Sequence, residues 1–117
     1  PGVKIRMIDH ADLVDKMNQK YGNLYVQDTI ARSVYKGMEA DNKQASVMNL
    51  LVAHRDMDEQ TAYKIVKTIF DKREDLIRAH KEAENIVLEI QRTEASSVPW
   101  HPGAIKYLAE RGIKIAQ

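Results

Sequence analysis

An α/β fold, in which a few strands are covered by a terminal layer of helices, is what this 117-residue sequence predicts. Three observations carry it. Apolar residues near the start alternate at period 2; two later segments are rich in β-branched and aromatic residues or continuously apolar; and from residue 56 onward apolar residues recur at helical spacing. The order strand, helix, two strands, three helices argues against simple alternating βαβ units.

Val3, Ile5 and Met7 alternate with Lys4 and Arg6, the pattern of a strand with one wet face. Asp9 is placed to cap a helix from His10 or Ala11 to about Lys20, with Asp12 in its first turn and Leu13, Val14 and Met17 on one stripe. Gly22 is placed to end it. Strands follow over 25–30 and over 45–53, where ASVMNLLVA is apolar enough to be buried on both faces. Between them ARSVYKGMEADNKQ is polar and irregular, a loop or extended crossover with Gly37 as its free hinge.

Asp56 followed by Glu59 reads as a capping-box-like start for a long helix over 59–77, along which Ala62, Ile65, Val66, Ile69, Phe70, Arg73, Leu76 and Ile77 keep i, i+3, i+4, i+7 spacing. Its apolar stripe is expected to pack on residues 50–52. Ala83, Ile86, Val87 and Ile90 predict another helix, TEASSVPW a connector, and Pro102 the first turn of a last helix with Ile105, Leu108 and Ala109 on one face, ended by Gly112.

Composition narrows the function. Eighteen Lys and Arg against 17 Asp and Glu, interspersed to a net +1, leave no basic stripe for a phosphate backbone, so no nucleic-acid partner is expected. With no cysteine there is no disulfide, thiolate nucleophile or Cys-type zinc site. A mean hydropathy of −0.49, without an apolar run near the ~18 residues of a membrane span, excludes a spanning helix. The sequence has no Gly-rich phosphate loop, nucleophile elbow or convincing acid/base pair, so neither enzymatic activity nor a cofactor is expected. His80 and Glu84, four apart, make a solvated pair; two ligands do not make a metal site. The cations Lys72, Arg73, Arg78 and Lys81 alternate with Asp71, Glu74 and Asp75 as a wet helix face. Arg32 and Tyr35, with Asp28 nearby, supply the residue types a polar ligand needs: a guanidinium for a carboxylate and a phenol for one further bond. His101, Pro102 and Gly103 are expected to start the last helix: His at the cap, Pro presetting the first turn, Gly allowing close approach.

From Tyr21 onward the order of residues resembles the C-terminal part of the TAXI-type solute receptors of tripartite ATP-independent periplasmic (TRAP) transporters. YGNLYVQDTIARSVYKG resembles an aromatic-rich segment ending in Ile-Pro-x-Gly-x-Tyr-x-Gly, with Ile30, Tyr35 and Gly37 in place. Ala31, Ser33 and Lys36 stand where the family favours Pro, Gly and Pro, and a serine suits position 33 only if no positive φ is required there. ASVMNLLVAHRDMDEQTAYKIVKTIFD keeps Asn49, Leu50, Leu51, Asp56, Tyr63 and Phe70 of the next stretch. The closing VPWHPGAIKYLAERG is the most specific, matching the family at Pro99, Trp100, His101, Pro102, Gly103, Ala104, Tyr107, Glu110 and Gly112.

The resemblance implies the C-terminal portion of a two-lobe periplasmic-binding-protein (type II) fold. Residues 1–22 would end the second lobe, 23–55 form the crossover and buried strand, and 56–117 the helices that pack on the first lobe. It implies capture of an organic anion such as a dicarboxylate or glutamate, delivery to TRAP membrane permease subunits, and a periplasmic location, with the signal peptide on the intact precursor. Pro1 in place of methionine fits a processed or excised piece. A different expectation is a stand-alone structural or protein-interaction module that forms a homo-oligomer through apolar helix and strand surfaces.

Overall fold

The computed structural model describes residues 6–115. Among them are two antiparallel strands and four α-helices, distributed over two compact units, residues 1–49 and 50–117.

In the first unit a 3₁₀ turn, Ala11–Leu13, leads into helix α1, Val14–Tyr21. Gly22, at φ 91°, ends the helix, and its N–H donates to the Asn18 carbonyl at 2.9 Å. Strand β1, Tyr25–Ile30, pairs with β2, Asn42–Val47, from Tyr25 opposite Val47 to Ile30 opposite Asn42. Side-chain amides tie the helix to this hairpin. Asn18 Oδ1 accepts from the N–H groups of Leu24 and Tyr25 (3.2 and 3.0 Å), while its Nδ2 donates to the Tyr25 carbonyl at 2.9 Å. At the loop end, the Asp9 carboxylate accepts from Asn42 Nδ2 at 2.7 Å and from the Lys43 N–H at 3.0 Å. Among the described residues of this unit the buried apolar ones are Ala11, Val14 and Val26.

Several expectations change. The period-2 strand falls largely on residues 1–5, outside the described residues, and Arg6 and Met7 are in no strand. Asp9 does not cap α1: its carboxylate is taken by β2, and His10 precedes the 3₁₀ turn without a side-chain cap. The second strand is neither 45–53 nor buried on both faces. It ends at Val47, opposite the first residue of β1, because a strand cannot continue past its partner; Leu51 and Val52 are 75% and 68% exposed. The 31–41 segment is a hairpin loop between adjacent antiparallel strands, not a crossover.

In the second unit helix α2, Glu59–Asp71, is capped by Asp58, not Asp56: Asp58 Oδ1 accepts from the Thr61 N–H at 2.8 Å. The predicted long helix breaks at Lys72 (φ −107°, ψ 22°), and α3, Arg73–Ala79, follows. The expected helix over 83–90 is two 3₁₀ turns, Lys81–Asn85 and Leu88–Ile90. Arg73 accounts for part of this. Its Nε and Nη2 donate to the carbonyls of Ile86 and Glu84, both at 2.7 Å, holding them in place of helical N–H partners. Helix α4, Pro102–Glu110, ends in a Schellman motif: Gly112, at φ 79°, donates to the Ala109 carbonyl and Ile113 to that of Leu108. The stripe of α2 faces α4, not residues 50–52: Ala62 is buried, Ile65 is 39% exposed, and the centre of the packing is Tyr107 and Leu108.

Candidate functional site

Two places draw together the residues with chemistry. The first is the hairpin loop of the first unit. Two turns build it: the Val34 N–H donates to the Ala31 carbonyl at 2.9 Å, and the Met38 N–H to that of Tyr35 at 3.3 Å. In the second turn Gly37 is the third residue and has φ 95°, the position and sign that glycine serves in a type II turn. Ser33 keeps a negative φ, so the serine is unstrained there. The Arg32 N–H donates to Asp41 Oδ1 at 2.8 Å and fastens the base of the loop. Arg32 and Tyr35 thus sit three residues apart on one short loop, both exposed, Tyr35 at 56% beside Val34 at 59%. Asp28 is engaged elsewhere, its carboxylate accepting from the Thr29 N–H and the Ser46 hydroxyl.

The second place is the seam between α2 and α4. Pro102 opens α4 with its fixed φ, and His101 caps it, Nδ1 accepting from the Gly103 N–H at 3.2 Å. His101 Nε2 lies 2.9 Å from the Met57 carbonyl, just before α2. A carbonyl only accepts, so Nε2 carries the proton and Nδ1 is the free acceptor: one neutral tautomer serves both helix starts. A Cβ at Gly103 would lie 2.3 Å from the Glu59 carbonyl oxygen and 2.6 Å from the Tyr63 nitrogen, so only glycine lets the two backbones meet. Beyond it Tyr107 stacks on Phe70 (centroids 5.7 Å, 8°) and meets Tyr63 edge-on (5.8 Å, 72°). The Tyr63 hydroxyl donates to Glu110 Oε2 at 2.7 Å, which raises the Tyr63 pKa above the usual tyrosine value.

His101, Pro102 and Gly103 therefore lie together in a helix junction, while Arg32 and Tyr35 lie together in the other unit's loop. Sequence reasoning left out Asn18, and named Tyr107 in the resemblance but not on the packed face of the last helix: a lone Asn after an apolar stripe gives no hint that it binds a strand seven residues on, whereas Tyr107's i+4 spacing from Gly103 was a usable signal. Among the described residues no cluster of His, Asp or Glu could hold a metal, and no helix is long and apolar enough to cross a membrane.

A hairpin under a helix, followed by a helical unit, is compatible with part of an extracytoplasmic solute-binding domain. The model of the NMT1-like family, a periplasmic binding-protein-like family, matches residues 2–112, and the chain belongs to that family. Membership suggests solute binding and a secreted or periplasmic setting. No curated protein matches the chain.

Proposed function

We propose that the chain forms the C-terminal portion of a TAXI-type receptor of a TRAP transporter, capturing an organic anion such as a dicarboxylate or glutamate in the periplasm and delivering it to the membrane permease. The observation that carries this reading is the family match over residues 2–112 together with the His101–Pro102–Gly103–Ala104 helix start. The role is binding, not catalysis. In this reading Arg32 grips a carboxylate bidentately and Tyr35 donates one further bond; both are exposed and unburdened by packing. A cleft between two lobes buries the solute and strengthens those contacts, which one wall alone leaves screened by water.

Calorimetric titration of the complete gene product with glutamate and C4-dicarboxylates tests it. Arg32→Ala is expected to weaken binding about tenfold or more and Tyr35→Phe by less, since bonds to charged groups are worth about 1.5–3 kcal/mol. Neither should lower the melting temperature. Unchanged affinity in both would return the loop to a turn-forming role, and no binding of either solute class would remove the receptor reading. The second reading, an interaction module that self-associates, is favoured by the exposed Val47, Leu51 and Val52 and by the two-stranded sheet found among the described residues. Light scattering that gives a monomer at every concentration would eliminate it.

A further inference from the structure

The second unit contains a cavity of about 300 Å³ that neither the loop nor the helix junction uses. That volume is at the small end of ligand pockets. Phe70, Ile86, Val87 and Leu88 give it an apolar wall, and Arg73 and Arg111 bring two cations to it, with Asp71 and Glu89 as its acids. Most of these charges are committed. Arg73 spends two donor groups on the Ile86 and Glu84 carbonyls, and Asp71 is ion-paired with Lys67 one helical turn back. Arg111 is different: its guanidinium lies over the Tyr107 ring, 5.0 Å from the centroid, and forms no ion pair among the described residues. Beneath it the Tyr107 side chain is 1% exposed, and its hydroxyl is buried with no hydrogen-bond partner. A buried hydroxyl left unpaired destabilises the fold. A cation held only by the Tyr107 ring face and the through-space charge of Asp71, and a buried hydroxyl without a partner, thus stand at the same cavity beside an apolar wall.

We propose that this cavity binds a small monocarboxylate with an apolar body. The carboxylate is held by Arg111, whose exposed side chain turns off the Tyr107 ring toward it, and it accepts a hydrogen bond from the Tyr107 hydroxyl that this movement uncovers. The body of the ligand covers Phe70, Ile86 and Leu88. A second carboxylate would meet Asp71 or Glu89, so dicarboxylates are disfavoured here. This goes beyond the receptor reading and does not rest on it, because Arg32 and Tyr35 belong to the other unit.

The test is thermal shift and calorimetry on the whole chain with hexanoate and phenylacetate, against succinate and hexanol. Both monocarboxylates should raise the melting temperature, and the dicarboxylate and the alcohol should not. Arg111→Gln should weaken hexanoate binding about tenfold or more, the loss of a charge-assisted bond. Tyr107→Phe should keep or raise the melting temperature of the unliganded chain, since it removes an unpaired hydroxyl, and should weaken hexanoate severalfold; Arg32→Ala should change nothing. Should Arg111→Gln fold poorly, side-chain NMR signals of Phe70, Ile86 and Leu88 in the unaltered chain report occupancy directly and must shift with hexanoate. Absence of binding by both monocarboxylates, equal binding of succinate or hexanol, or full affinity in Tyr107→Phe or in a folded Arg111→Gln would overturn the proposal.

Discussion

The hairpin unit and the helical unit are held together by different physics. In the hairpin unit the joints are polar: one Asn18 amide makes three bonds to the start of β1, and one Asp9 oxygen takes two from the start of β2. Among its described residues the buried apolar side chains are small, Ala11, Val14 and Val26. In the helical unit the joint is a close backbone approach at Gly103 followed by three aromatic rings. Hydrogen bonds near the surface contribute about 1 kcal/mol each because water competes for the same groups, whereas an aromatic side chain withdrawn from water contributes several times that. The contrast shows that the largest fully buried side chains among the described residues, Tyr107 and Leu108, lie in one unit, while the other is fixed by hydrogen-bond geometry.

Breaking the helical unit should cost most. Tyr107→Ala is expected to lose about 3–5 kcal/mol, the range for a buried aromatic replaced by alanine, measured by denaturant unfolding. A loss below about 1 kcal/mol would show that the ring cluster does not hold α2 to α4. Gly103→Ala should follow at about 1–3 kcal/mol, because the new methyl meets backbone that cannot turn aside; a neutral outcome would mean that the two helix starts can separate freely.

Asn18→Ala sharpens the comparison from the other side. It takes the side-chain partners from the Tyr25 N–H and carbonyl, while the Leu24 N–H keeps the Gly22 carbonyl at 2.8 Å, at a cost of about 1–2 kcal/mol. Amide hydrogen exchange should quicken in β1 and leave α2 and α4 unchanged; slowed or unaltered exchange at Tyr25 would count against the amide as the joint. The smallest effect is a pH dependence. The Thr61 hydroxyl first, and then its backbone N–H, hold the Asp58 carboxyl below the ordinary aspartate range. A carboxyl depressed in the folded state stabilises it fully above that ordinary range, and the contribution is lost as pH falls through the lowered value. Asp58→Asn keeps the cap, so its melting temperature should match at neutral pH and fall less steeply in acid; parallel acid profiles would assign the acid loss to other carboxyls.

What was legible in the sequence was what depends on neighbours along the chain. Gly22 at the end of α1, the β-branched and aromatic run of β1, Pro102 at a first helical turn and Gly112 at a last one each satisfy a local rule about φ, capping or composition, and each lies where that rule puts it; of the α1 stripe Val14 is buried, while Leu13 stands exposed in the 3₁₀ turn before the helix. Family resemblance extended this to solute binding at the level of the NMT1-like family.

The cap at Asp58 in place of Asp56 was a local misreading, set by Thr61 three residues on, but three others depended on a partner farther along the chain. Asp9 is a sound helix cap by type, but Asn42 and Lys43, more than thirty residues on, compete for its carboxylate. The apolar residues 48–53 have strand composition, yet a strand needs a paired neighbour, and β1 begins at Tyr25, where Asn18 turns the chain. Ile86 and Val87 keep helical spacing, yet the Arg73 guanidinium claims the carbonyls of Glu84 and Ile86. Local propensities differ by less than 1 kcal/mol per residue, so a single well-placed hydrogen bond from elsewhere in the fold outweighs them. The sequence by itself determined the helix ends that a single local residue sets, at Gly22, Pro102 and Gly112, because φ is a property of the residue itself; only the tertiary structure decided which carboxylates, carbonyls and apolar faces were already taken.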